Sequence, residues 1–170
     1  MGDQILTPVH QHNISANCFA VSLAVPTSIN SNVRIGIGIF PNNIAKNVFI
    51  YRAVINNSDT AEADITITQY SSIDSYFTSV LTPMNLQLGS PNTSLCTVQG
   101  SSSGDSGPIN TSGTRLAVYR MTSNHLGFEC FQNGSGIYIP ANTSGQVANF
   151  YVKVPTAGKY GLLTIEYIEY

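Results

Sequence analysis

Several groups of residues in this chain have types and spacings that could do chemistry, and each demands a particular setting. The run Gly104-Asp105-Ser106-Gly107-Pro108 has the form of a serine-hydrolase nucleophile segment. An active serine needs a His as general base and a buried Asp to orient that His. The upstream histidines, His10 and His12, lie in a polar stretch that offers no such context. Gly100-Ser101-Ser102-Ser103-Gly104 has G-x-S-x-G spacing, but that elbow works only at a strand–turn–helix junction. Here it sits in a Ser/Gly-rich run that produces such matches by composition. No hydrolase is expected.

Metal and acid–base groupings fare no better. His10 and His12 would lie on one side of an extended arm, yet they supply two ligands and His125 is remote. They read as solvated or interface histidines. Asp59, Glu62 and Asp64 flank a turn, where Asp is expected, and a calcium loop needs denser oxygen ligands. Glu166 and Glu169 alternate with apolar residues and read as edge protection or partner pairing rather than general acid or base. Cys18, Cys96 and Cys130 form no CxxC pair and read as buried thiols, with any pairing left open. Gly36-Ile37-Gly38 lies inside a strand pattern, so it is no dinucleotide fingerprint. Sequons at Asn13, Asn56, Asn92, Asn110, Asn133 and Asn142 follow from an Asn/Ser/Thr-rich composition. The tyrosines, among them Tyr51, Tyr119, Tyr138 and Tyr151, fall mostly at strand positions and suit packing or subunit contacts better than a sugar platform. No catalytic, cofactor-binding or metal-ligating residue is assigned.

The elements that would position these residues are strands. Residues 48–69 are central. Phe49, Tyr51, Ala53 and Ile55 fall on one face, Val48, Ile50 and Val54 on the other, and Ala63, Ile65 and Ile67 alternate with Asp64, Thr66 and Thr68. Two such runs around Asn56-Asn57-Ser58-Asp59-Thr60 predict a β-hairpin whose first strand is buried on both faces. Residues 18–25 and 33–40 read as further strands, the second with glycines suited to close approach of a covering neighbour. Residues 72–81 have helix-like spacing, with a strand as the alternative, and Pro83 ends either. Residues 89–114 predict a long Ser/Gly-rich surface loop with one short strand at 94–99. Strand signals return at 115–122, 127–132, 136–140, 146–154 and 161–169, the second and third separated by an Asn133-Gly134 turn signal. Leu163, Ile165 and Tyr167 share one face of the last strand, and Ile168 and Tyr170 point to a docked end. Eight or nine strands without a firm helix predict an all-β antiparallel sandwich, jelly-roll-like, over 18–170, preceded by an extended polar arm at 1–17.

Composition sets the surface. Hydrophobic residues are 42% of the 170, but charged residues only 9% against roughly 25% in ordinary soluble chains. Asn, Ser, Thr and Gly carry the solubility, and little charge opposes association. A net charge of −2 provides no basic footprint for nucleic acid. No apolar run approaches the ~18 residues of a membrane span, and the first residues lack a signal-peptide pattern, so synthesis in a cytoplasm without processing is expected.

Three segments carry a resemblance. FIYRAVINNSDTAEADITI (49–67), TRLAVYRMTSN (114–124) and YIPANTSGQVANFYVKVPTAGKYGLLTIEYIEY (138–170) resemble small β-sandwich structural proteins of tailed-phage virions. The nearest in character are head decoration, or cement, proteins. That resemblance implies a non-enzymatic, capsid-stabilising protein on the virion exterior. It would act as a homo-oligomer, typically a trimer, with the major capsid protein as partner; low charge and the polar arm at 1–17 add the expectation that this arm lies across an adjacent subunit as a clamp. It carries over no functional residue. The alternatives are a receptor- or carbohydrate-binding module of a fibre or spike, and a jelly-roll capsid shell protein.

Overall fold

A computed structural model describes residues 17–24, 34–57, 63–105, 113–121, 128–131, 135–153 and 161–170. Their regular structure is entirely strand: β1 (Cys18–Ala24), β2 (Arg34–Phe40), β3 (Val48–Asn57), β4 (Ala63–Tyr70), β5 (Ser79–Val80) and β6 (Met84–Asn85). The chain continues with β7 (Thr97–Asp105), β8 (Thr114–Met121), β9 (Phe128–Glu129), β10 (Ile137–Ile139), β11 (Val147–Lys153) and β12 (Gly161–Glu169). The β-branched, period-2 runs explain the long ones, because such side chains pack well on a pleated, half-buried surface.

All pairings are antiparallel, and they build two sheets. One runs β10-β3-β12-β1-β6, with β9 also on β3, and the other β5-β7-β2-β11-β4-β8. From Phe128 to Ile137 the chain advances nine residues while its partner β3 advances five, from Ile55 to Ile50. Counting β9 and β10, which both pair with β3, as parts of one interrupted strand, the described residues form eleven strands, against the eight or nine expected. With β5, β6 and β7 set aside, β1-β12-β3-β10 faces β2-β11-β4-β8. That is the strand order of a jelly roll.

The core lies between the sheets. Ile37, Ile39, Ile65, Ile67 and Phe150 on one side meet Phe19, Ile50, Ile55, Leu163 and Ile165 on the other, none more than 1% exposed. Burying each such side chain contributes about 1.5–3 kcal/mol. Leu163, Ile165 and Tyr167 share the inward face of β12 as the sequence pattern indicates, each 0% exposed. The chain end is docked by a reciprocal pair, Asn47 N to Tyr170 O at 2.8 Å and Tyr170 N to Asn47 O at 3.0 Å.

Residues 48–69 form two strands but no hairpin. β3 sits between β12 and β10, while β4 sits between β11 and β8 in the opposite sheet. Alternation reports that a face is buried, and it is satisfied equally by pairing within a sheet and by facing another sheet across a core. The face assignment changes too. Arg52 pairs with Glu166 and Ile50 with Tyr167, so Tyr51 is an extra residue at a bulge. A bulge reverses the alternation. Val48 and Ile50 therefore share the core with Ala53 and Ile55, whereas Phe49, Tyr51 and Val54 are only half-buried on the outer face.

Residues 72–81 form no helix. Asp74 Oδ1 accepts the Tyr76 N–H at 3.1 Å, and Phe77 N donates to Asp74 O at 2.9 Å. Such a local side-chain bond competes with helix formation. The segment instead covers the outer face of the second sheet, with Phe77 2% exposed. A Cβ on Gly36 would stand 2.4 Å from the Phe77 ring and 2.2 Å from Phe150 O, so the strand needs glycine there. The neighbour that β2 was expected to accommodate is therefore this chain's own segment. The Ser/Gly-rich 89–114 stretch is also not one loop. Its 97–105 portion is β7, paired with β2 and with Ser101 3% exposed. The strand expected at 94–99 is its beginning, and it runs on through the Ser/Gly residues to 105 because backbone pairing needs no apolar side chain. Of the arm expected at 1–17, residues 1–16 lie outside the described residues, and Asn17 O accepts Glu169 N at 3.0 Å.

Candidate functional site

The nucleophile motifs land on a strand. Gly100 and Ser101 pair with Ile37 and Gly36 in mid-sheet, and Asp105 pairs with Arg34 at the strand end. No strand–turn–helix elbow exists there, while Ser106 to Pro108, His10, His12 and His125 lie outside the described residues. Asp59 and Glu62 lie outside them as well, and Asp64 falls in register between Lys153 and Arg120. Of the sequons, Asn92 and Asn142 are exposed and Asn56 is half-buried, the other three lying outside the described residues. Among the described residues no group of three or more His, Cys, Asp or Glu could hold a metal. No helix among them is long and apolar enough to cross a membrane.

The carboxylates serve the fold. Glu166 is on no edge: β12 lies between β1 and β3, and Glu166 takes Arg52 Nη1 at 2.5 Å. Arg52 Nε also lies 3.4 Å from Glu129. Partial burial opposes the guanidinium charge, but Glu166 and Glu129 hold it more firmly than usual. Burial, then the Glu166 charge, pushes the neighbouring Tyr51 hydroxyl up. Glu169, 0% exposed, accepts from Ser94 Oγ at 2.6 Å and from Leu95 N at 2.9 Å. Asp74, 2% exposed, accepts from Tyr151 Oη at 2.6 Å, while its N–H donates to Asn149 Oδ1 at 3.3 Å. All three cysteines are buried and form no disulfide. Burial, helped by Glu166, raises Cys18 to about 11, and burial with Glu129 raises Cys130 to about 12. Burial, then the Glu169 charge, pushes Cys96 up as well. Thiols held protonated in this way make poor nucleophiles.

Two surfaces remain, one on each side of the sandwich. On one side residues 79–95 form a strap between the sheets. Val80 pairs with Gln99 of β7, and Met84 pairs with Ala20 of β1. Asn85 stiffens the strap, its Nδ2 donating to Asn92 O at 3.1 Å and its Oδ1 accepting Gln87 N at 2.9 Å. Its outward side chains are apolar: Val80 is 76% exposed, Met84 69%, Leu88 91% and Leu95 53%. From position 75 to 104 the sequence has no Asp, Glu, Lys, Arg or His.

On the opposite side β8 and β10 end their sheets without meeting, and a cleft of about 600 Å³ opens between them. Ile67, Phe131 and Ala148 are its buried floor, and Leu116 and Tyr138 stand at its mouth. Across β4 and the start of β11, Gln69 Nε2 donates to Gln146 Oε1. The Tyr138 hydroxyl donates to Asn47 Oδ1 at 2.9 Å, and that oxygen also accepts Ala141 N at 3.0 Å. Of these, only Tyr138 stood out in the sequence, as one tyrosine among many. Gln69 and Gln146 are brought together by strand pairing across 77 positions, and nothing local to either marks them. The uncharged run at 75–104 was the available signal for the strap.

The architecture defines a jelly-roll β-sandwich with no assembled catalytic centre among the described residues. Compared with protein-family models, with curated proteins and with solved structures, the chain matches none.

Proposed function

We propose that this chain is a non-enzymatic virion structural protein. Its most fitting role is that of a decoration, or cement, protein that binds neighbouring major capsid subunits from the capsid exterior as a homo-oligomer, most simply a trimer. The observation that carries the reading is the strap: four large apolar side chains at least half exposed, held on a stiff, uncharged segment. Several large apolar side chains left in solvent on one segment suit a site of association. Absence of charge removes the like-charge repulsion that otherwise keeps copies apart. The buried carboxylates support the same reading, since Asp74 and Glu169 hold the cover and the strap rather than facing a substrate. Repetition over a capsid would convert weak individual contacts into firm attachment.

The test is rebinding. Capsids lacking the protein are incubated with purified chain, sedimented, and heated. Co-sedimentation with raised heat resistance supports the reading, and binding without any gain in resistance, or no binding, opposes it. The jelly-roll strand order also suits a capsid shell protein. Spontaneous closure of the purified chain into particles would favour that role.

A further inference from the structure

We propose that the cleft between β8 and β10 is a binding site for a neutral saccharide. This site is independent of the strap and lies on the opposite side of the sandwich. Its volume, about 600 Å³, falls in the range of small-molecule sites. Among the described residues no Asp, Glu, Lys, Arg or His lines it. An ionised ligand entering there would lose hydration without gaining a counter-charge.

A purely apolar ligand fits no better, because it would cover the Gln69–Gln146 amide pair at the rim. That pair uses Gln69 Nε2 and Gln146 Oε1 on each other. Gln69 Oε1 and Gln146 Nε2 remain as an acceptor and a donor from paired side chains. Covering both without replacement bonds costs about 1–3 kcal/mol for each group. Two adjacent hydroxyls of a sugar, each able to donate and accept, match this pair.

The apolar half of a sugar also finds its surface. The Tyr138 side chain stands at the mouth, with the residue 54% exposed and its hydroxyl tied to Asn47. A ring fixed before binding loses little entropy when a pyranose C–H face stacks on it. Behind it Phe131 packs edge-on against Tyr119 at 6.4 Å between ring centroids, giving the floor an aromatic wall. A neutral ligand with one hydroxylated face and one C–H face is therefore the class this cleft selects.

The test is saturation-transfer NMR on the full chain with a panel of neutral probes: methyl glucoside, methyl galactoside, methyl mannoside, N-acetylglucosamine, lactose, maltose and octyl glucoside. Transfer to ring protons of at least one sugar is expected. Tyr138→Ala and Gln146→Ala should each weaken it about tenfold or more, about 1.4 kcal/mol. Tyr138→Phe, which keeps the ring, should retain more binding than Tyr138→Ala, and Leu88→Asp on the strap should leave binding unchanged. Unaltered unfolding midpoints show that the rim variants are folded. The proposal is overturned by no transfer to any probe, by transfer only to the octyl chain, or by sugar binding indifferent to both rim substitutions.

Discussion

The two sides of the sandwich solve the same problem differently. Each is a place where two sheets end and apolar side chains between them meet solvent. On the β1–β7 side the chain spends residues 79–95 on a strap, and Leu81 packs inward against the core while the outer surface carries Val80, Met84, Leu88 and Leu95. On the β8–β10 side nothing described crosses, and the opening keeps an amide pair and a tethered tyrosine. A closed side that displays apolar groups suits a flat partner surface. An open side with polar groups at its rim suits a ligand that enters.

The contrast can be broken most severely at the segment leading into the strap. Phe77→Ala should cost about 3–5 kcal/mol, because the ring fills the space over Gly36 and packs on Tyr151 at 5.3 Å between centroids. Urea unfolding should show a lower midpoint at unchanged slope, whereas Tyr138→Ala at the cleft should shift stability by no more than about 0.5 kcal/mol. Glu169→Gln comes next. It puts an amide NH2 among donors that Leu95 N and Cys96 N supply, and should cost about 2 kcal/mol by the same assay. Smaller still is Tyr151→Phe, which removes the hydroxyl donated to Asp74 and should cost about 1–2 kcal/mol.

A separate loss of stability is expected at alkaline pH. Cys18 and Cys130 are raised from 9.0 to about 11 and about 12 in the folded chain. The native state then holds thiol protons that the unfolded state releases, so unfolding free energy falls as pH rises through this window. That contribution is complete below about pH 9 and lost as pH rises through 11 to 12. Cys130→Ala should flatten the decline between pH 9 and 12 in denaturant titrations taken at each pH.

Strand positions were legible because period-2 alternation reports a half-buried face directly, as Leu163, Ile165 and Tyr167 illustrate. The pairing of β3 with β12 was not, since β12 lies more than a hundred residues away and alternation is silent about partners. The bulge at Tyr51 was equally hidden: its cause is the register with Glu166 and Tyr167, not anything in 48–57. Only the start of β7 was legible, in the strand expected at 94–99, because the Ser and Gly residues that follow supply backbone without pattern. Of the two surfaces, the strap left a trace in the uncharged run at 75–104, whereas the cleft residues converge only after the sheets form.

The most direct test of the account is the solution mass of the chain by light scattering, beside that of the double variant Val80→Asp, Leu88→Asp. Both positions are exposed, so the variant should fold with an unchanged unfolding midpoint. The account predicts an oligomer, most simply a trimer, that the two charges convert to monomer. A monomeric parent chain, or an oligomer untouched by the double substitution, would contradict it.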